Sequence, residues 1–289
     1  MPAATASTAR LTKFYGELSS LEAIMAGLSA AGVDTDRLTA RDLYTRDLDC
    51  HNLGMHAMLD LLAAVAGEYG QPSADDSVLD LGCGLGGPGR FLVDQYDCSV
   101  VGTDVLPLRI DIAQTLTDKT GMTDRISYRV GDGTALDLED RSFSQVWMLD
   151  VSMHIRDKRA LFSEIARVLK PGGLLVMHEQ TAPIPKAMLP VTRRAPYIAP
   201  SLPQLIRYVE EPGLRMLTWR DTTEVVLDYF RGLRAMFPPP PEPVPDARAP
   251  RQDGFGLAML DGYIETLAYL GGRTGILVAR RIAPKHKER

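Results

Sequence analysis

The run Val78-Leu79-Asp80-Leu81-Gly82-Cys83-Gly84-Leu85-Gly86-Gly87-Pro88-Gly89 restricts the fold of this chain more than any other stretch. It opens with apolar residues suited to a buried strand, passes through a glycine-dense turn and runs into a helix. Glycine is needed where a tight turn takes unusual backbone angles, or where a ligand approaches the main chain with no Cβ between them. From there to Glu179, short β-rich runs alternate with segments of helical period. That alternation specifies a parallel sheet built from βαβ units.

Strands are expected at 78–81, 99–103, 126–130, 145–149 and 174–178, with helices near 89–95, 108–120 and 158–169, the last stopped by Lys170-Pro171-Gly172-Gly173. Upstream, 18–31 and 53–68 carry apolar residues at helical spacing, so residues 1–70 read as a helical cap ahead of a ligand-binding core at 71–180. Residues 181–212 read as an insertion after the fifth strand, because Pro183, Pro185, Pro190, Pro196, Pro200 and Pro203 interrupt any regular element. Residues 213–289 complete the sheet, with strands at 215–219 and 274–281, helices at 222–237 and 256–270, and a proline-rich loop at 238–250. The expected class is α/β: a Rossmann-like, seven-stranded, mostly parallel sheet with helices on both faces.

Three acids follow three successive strands. Gly82, Gly84 and Gly87 also satisfy the GxGxxG spacing of dinucleotide sites. Asp80, beside the turn, would repel a pyrophosphate but attract an ammonium, and the helix N-terminus favours a carboxylate, which together prefer S-adenosyl-L-methionine (SAM) over NAD. Asp104 ends the second strand about 22 positions after Gly82, where an acid accepts ribose hydroxyls; it serves either cofactor, and capping the next helix is the plainer alternative. In Val130-Gly131-Asp132-Gly133-Thr134-Ala135, Asp132 could accept the exocyclic amine of adenine or cap a short helix.

The blocks VLDLGCGLGGPGRFL, VVGTDVLPLRIDIA, RISYRVGDGTALDLEDRSFSQVWMLDVSMHIRDK and LFSEIARVLKPGGLLVMHE, with DLDCHNLGMHA upstream, resemble the class I SAM-dependent methyltransferases. Within them they are most similar to the small-molecule branch of sarcosine/dimethylglycine N-methyltransferases and γ-tocopherol-type enzymes. The resemblance is continuous over 77–179. It implies that Gly82 and Gly84 line the methionyl group, that Asp104 holds the ribose, and that Asp132 with Gly133 or Thr134 holds the adenine. It further implies that Leu149 lies near the sulfonium and that Tyr15 and His51 close over the site. Asp80, Cys83 and Val105 fall in the same blocks and complete the cofactor candidates. Relatives often read HVSMNI where this chain has Asp150-Val151-Ser152-Met153-His154-Ile155, which puts an acid at a frequent His and a His at a frequent Asn.

Methyl transfer from a sulfonium is an in-line displacement, and positioning alone can lower the barrier by roughly 7 to 11 kcal/mol. A base is needed only for a protonated or weakly acidic acceptor. His154, just past the fourth strand, is then the first candidate, Asp150 its orienting partner, and His51 and His178 the reserves. On this reading His154→Ala lowers turnover and leaves SAM affinity nearly unchanged. Tyr15, Tyr44, Tyr197, Tyr208 and Trp219 are candidates to wall an acceptor pocket, or are simply core.

The net charge of −5 and the lack of a DPPY or NPPY tetrapeptide after the fourth strand argue against a nucleic-acid substrate. No apolar leader or membrane-length run occurs, so a cytoplasmic protein without membrane attachment is expected. Cys50, Cys83 and Cys98 lack metal-ligand spacing, so no metal is expected. The expected partner is a small-molecule acceptor, with N- or O-methylation ahead of C-methylation and a homodimer left open. A Rossmann oxidoreductase and a non-catalytic SAM-binding scaffold are the competing readings.

Overall fold

The computed structural model describes residues 11–12, 15, 20–44, 56–182, 199–236 and 254–282, with side chains from 260 onward in the last stretch. Its strands are β1 (Ser77–Leu81), β2 (Ser99–Asp104), β3 (Ile126–Val130), β4 (Phe143–Leu149), β5 (Leu169–Thr181), β6 (Leu214–Asp221) and β7 (Arg273–Arg281). They form one seven-stranded sheet in the order β3-β2-β1-β4-β5-β7-β6. Neighbours run parallel through β5, and β7 lies antiparallel between β5 and β6. The helices are α1 (Leu21–Ala30), α2 (Ala40–Tyr44), α3 (His56–Gly67), α4 (Gly87–Tyr96), α5 (Pro107–Lys119), α6 (Lys158–Val168), α7 (Leu202–Glu210), α8 (Thr223–Ala235) and α9 (Gly254–Tyr269).

Successive side chains of a strand point to opposite faces, and the central strands are apolar on both. Val176 on β5 packs with α3, α4, α8 and α9 through Leu62, Phe91, Phe230 and Leu267. Its neighbours Leu175 and Met177 pack on the other face with Phe162 and Ile165 of α6 and Leu205 of α7. A third cluster joins Ile24 and Leu28 of α1 to Leu85 in the glycine turn and to Ile112 and Leu116 of α5.

The expected α/β class and mostly parallel seven-stranded sheet are those observed. Three details differ from expectation. The helix expected at 53–68 is α3, and its Leu59, Leu62 and Val65 belong to the main core rather than to a separate cap. The fifth strand starts at Leu169: Phe143 pairs with Leu169 and Gln145 with Leu174, so Lys170–Gly173 bulge out of one long strand. Gly172 takes φ 84°, and a Cβ on Gly173 would stand 2.8 Å from the Ser144 carbonyl, so both glycines are required there. Finally, the end of the expected insertion is helical. Ser201 and Gln204 form a capping box, Pro203 occupies the first turn where proline is tolerated, and Leu205 and Val209 are fully buried.

Candidate functional site

At the carboxyl edge of the sheet lies a cavity of about 280 Å³. The turn after β1 forms its floor. Gly82 and Cys83 donate their N–H groups to the Thr103 carbonyl at 2.7 and 2.9 Å, tying the turn to β2. Gly82 has φ 75°, and a Cβ there would meet Val151 Cγ2 at 2.3 Å, so the turn also presses against the loop after β4. Asp104 enters from the end of β2. Its Oδ2 accepts from Gly84 N at 3.1 Å and its Oδ1 from Leu106 N at 2.9 Å. Burial raises this carboxyl above the ordinary range, an effect partly offset by those N–H donors and by the Arg109 charge. Asp132, past β3, accepts from both the backbone N–H and the hydroxyl of Thr134 at 2.8 Å. Gly131, Gly133, Val105 and Leu106 fill the wall between the two acids.

Leu11 and Tyr15 roof the cavity. The Tyr15 hydroxyl and His154 Nε2 share a 2.7 Å hydrogen bond. The Arg109 guanidinium lies 4.8 Å from the Tyr15 ring centroid and donates to its carbonyl at 3.4 Å. Burial pulls the His154 pKa down to about 4, so this imidazole is neutral near pH 7.

The opposite wall is the loop after β4. Asp150 takes φ 55°, a left-handed conformation that Asp tolerates better than most residues. Its N–H donates to the His178 carbonyl at 2.9 Å, and its Oδ1 accepts from His178 Nδ1 at 3.0 Å. His178 Nε2 bonds the Thr222 hydroxyl at 3.1 Å, which in turn bonds that of Thr274 at 3.0 Å. Burial would lower the His178 pKa, but the Asp150 and Glu179 carboxylates outweigh it and raise the value. Lys158 is buried beside this loop and donates to the carbonyls of Ser152 and Ile155, stapling the short 3₁₀ turn Ser152–His154. Burial lowers the Lys158 pKa to about 8 and raises that of Glu179 to about 7.

Of the sequence candidates, Tyr15, Gly82, Asp104, Val105, Asp132, Gly133, Thr134, Asp150 and His154 meet at this cavity. The others are placed elsewhere. Asp80 is buried beneath the turn, where Oδ2 accepts from Gly89 N at 3.1 Å; an acid facing a ligand was expected, and it holds the start of α4 instead. Cys83 is fully buried and its thiol pKa is raised well above normal by burial, as befits a packing residue. Gly84 commits its N–H to Asp104, and Leu149, partly buried, packs against the main core. Asp150, expected to orient His154, bonds His178. His178 itself is buried with both ring nitrogens engaged, away from the cavity. Tyr44 donates to Asp94 and packs edge-on against Phe91, while Tyr208 and Trp219 pack against the core below α6 and β7. His51 and Tyr197 lie outside the described residues. Arg109 and the Lys158–Glu179 pair were not foreseen. Arg109 stands five positions after Asp104 on α5, a register that turns it back to the cavity. Lys158 follows the helix cap Asp157, where a solvated cation is the ordinary reading.

Among the described residues no cluster of His, Cys, Asp or Glu is placed to hold a metal ion, and no helix is long and apolar enough to cross a membrane. The strand order, the reversed β7 and the cavity over β1 and β2 together define the class I methyltransferase fold. Residues 79–177 match a family model described as a methyltransferase domain. A probable tocopherol O-methyltransferase of Oryza sativa subsp. japonica is 32% identical over 118 residues, covering 39% of this chain and 33% of that protein. The matched stretch thus spans about a third of the relative's length. Among solved structures, a putative sarcosine dimethylglycine methyltransferase from Galdieria sulphuraria superposes with a TM-score of 0.69 at 24% identity, covering 78% of this chain and 86% of the other. The geranyl diphosphate C-methyltransferase of Streptomyces coelicolor A3(2) gives a TM-score of 0.73 at 18% identity over 98% of this chain and 100% of that one.

Proposed function

We propose that the protein is a SAM-dependent methyltransferase acting on a small molecule. The observation that carries this reading is that Asp104 and Asp132, at the ends of two neighbouring strands, face one cavity floored by Gly82. A carboxylate at Asp104 suits a ribose diol, and the Asp132–Thr134 turn beside Leu106 and Ile155 suits the polar edge and apolar faces of a purine. SAM, when bound, supplies an electrophilic methyl on a sulfonium that leaves as a neutral thioether. The chain's part is to align the acceptor and exclude water, which Tyr15 and Leu11 do from above. Where the acceptor must lose a proton, Asp150 and His154 are the side chains bordering the cavity that can take it: the Asp150 carboxylate is oriented by His178, and His154 is held by the Tyr15 hydroxyl. Cys83 and Cys98 are buried free thiols, which suits a reducing cytoplasm.

Calorimetric titration tests the reading. SAM and S-adenosylhomocysteine should bind and NAD should not. Asp104→Ala should weaken both ligands roughly 10- to 100-fold, the loss expected for charge-assisted hydrogen bonds of about 1.5–3 kcal/mol. A wild-type protein that ignores SAM and its product at millimolar concentration overturns it.

A further inference from the structure

The strand order lays the cavity out as a row. β3, β2, β1 and β4 stand side by side, and at or just past their carboxyl ends they present Asp132, Asp104, Gly82 and Asp150 to the same space. Neighbouring strands lie about 4.8 Å apart, so the row advances in short steps. In an adenosyl sulfonium the ribose stands between the base and the sulfur. With the purine at Asp132 and the ribose at Asp104, the sulfur falls toward Gly82, and the next strand in line carries Asp150.

Asp150 also differs from the other acids around the cavity in how its charge is screened. Among the described residues the lining carries four aspartates and two arginines, a balance that favours a cationic ligand. Asp104 accepts from two backbone N–H groups, Asp132 from the backbone and hydroxyl of Thr134, and Asp157 from Ala160 N at the start of α6. Asp150 accepts one hydrogen bond among the described residues, at Oδ1 from His178 Nδ1, and none from a backbone N–H. Its side chain is 14% exposed, so its charge acts in poorly solvated surroundings. The partner is itself anchored in depth. His178, Thr222 and Thr274 are all buried, and their hydrogen bonds tie β5 to the start of α8 and to β7, which keeps the carboxylate at the cavity wall.

Resting on the methyltransferase reading above, we propose that Asp150 reads the charge on sulfur: its carboxylate favours the sulfonium of SAM over the neutral thioether of S-adenosylhomocysteine. The two ligands differ by one methyl group and one positive charge. A carboxylate at the β4 end of the row attracts the first and gains nothing from the second, so the site loosens its hold once the methyl has gone. The selectivity belongs to cofactor binding and stands whether or not the acceptor surrenders a proton.

The test measures the affinities of SAM and S-adenosylhomocysteine by calorimetry at pH 7.5 and reads their ratio in the wild type and in Asp150→Asn. The substitution keeps the side-chain shape and an acceptor for His178, and asparagine tolerates the left-handed backbone at φ 55°, so charge is what changes. It should weaken SAM about tenfold relative to S-adenosylhomocysteine, the scale of one partly screened charge pair. Sinefungin, which bears an ammonium where SAM bears the methyl sulfonium, should follow SAM. Asp150→Gly, which suits the same backbone, gives the same shift in the ratio and serves if the asparagine variant does not fold. A folded variant in which SAM and S-adenosylhomocysteine weaken equally, or in which neither changes, overturns the assignment. A loss confined to SAM and not shared by sinefungin also overturns it, since that pattern marks a methyl contact rather than a charge. A wild-type protein that binds none of the three sinks instead the reading on which the inference rests.

Discussion

His154 shows how a contact redirects a residue's role. Read from the chain, it is a histidine beside a developing charge and hence a base. In the folded protein it is buried, neutral near pH 7 and joined to the Tyr15 hydroxyl at 2.7 Å, so it acts on the roof of the cavity. His154→Ala and Tyr15→Phe should each weaken SAM binding several-fold, and the double variant should be little worse than either single one, because both remove the same hydrogen bond. Calorimetry on the four proteins measures this, and fully additive losses would separate the two residues. Glu179 makes a second point at this scale. Burial raises its pKa from the ordinary 4.5 to about 7, so the folded state holds a proton that the unfolded chain has released. The group's contribution to stability is fully present below about pH 4.5 and is lost as pH rises through about 7. Glu179→Gln should lack that loss and be more stable than the parent by on the order of 2 kcal/mol at pH 8, with the difference shrinking toward pH 4.5. Denaturant unfolding at several pH values reads it out, and a gap of constant size across the series would show that ionisation is not its cause.

Among the elements, the β1–α4 turn is the one whose chemistry was most legible. Its glycines announced a turn with close backbone contacts, and the positive φ at Gly82, Gly84 and Gly86 bears this out. What the chain did not announce is the identity of the neighbour. The Gly82 Cβ position is taken by Val151 rather than left clear for a ligand, so the glycine is needed as much for packing the β4 loop as for binding. Gly82→Ala should therefore lower both the melting temperature and SAM affinity, and a variant with parental stability would show the contact to be slack. The strand ends carrying Asp104 and Asp132 could be read because an acid after a β-run is a local pattern. The destination of Asp80, the His178 partner of Asp150 and the inward turn of Arg109 could not, since each depends on packing between elements far apart in the chain. The same holds for α7, where Pro203 and the prolines before it masked a helix that its capping box and two buried side chains establish.

At the scale of the molecule, the two faces of the sheet are covered by different parts of the chain, and the side bearing α8 and α9 is completed by residues well beyond the segment that matches the methyltransferase-domain model. The strand that unites them is β7, which hydrogen-bonds to β5 on one side and β6 on the other and buries Ile276, Leu277, Val278 and Ala279 completely. Because β7 follows both β5 and β6 in the chain yet lies between them in the sheet, a chain emerging from the ribosome carries β5 without this neighbour until the segment appears. Assembly in order of synthesis cannot close the sheet between β5 and β6; the two edges stay open to mispairing until β7 is laid between them.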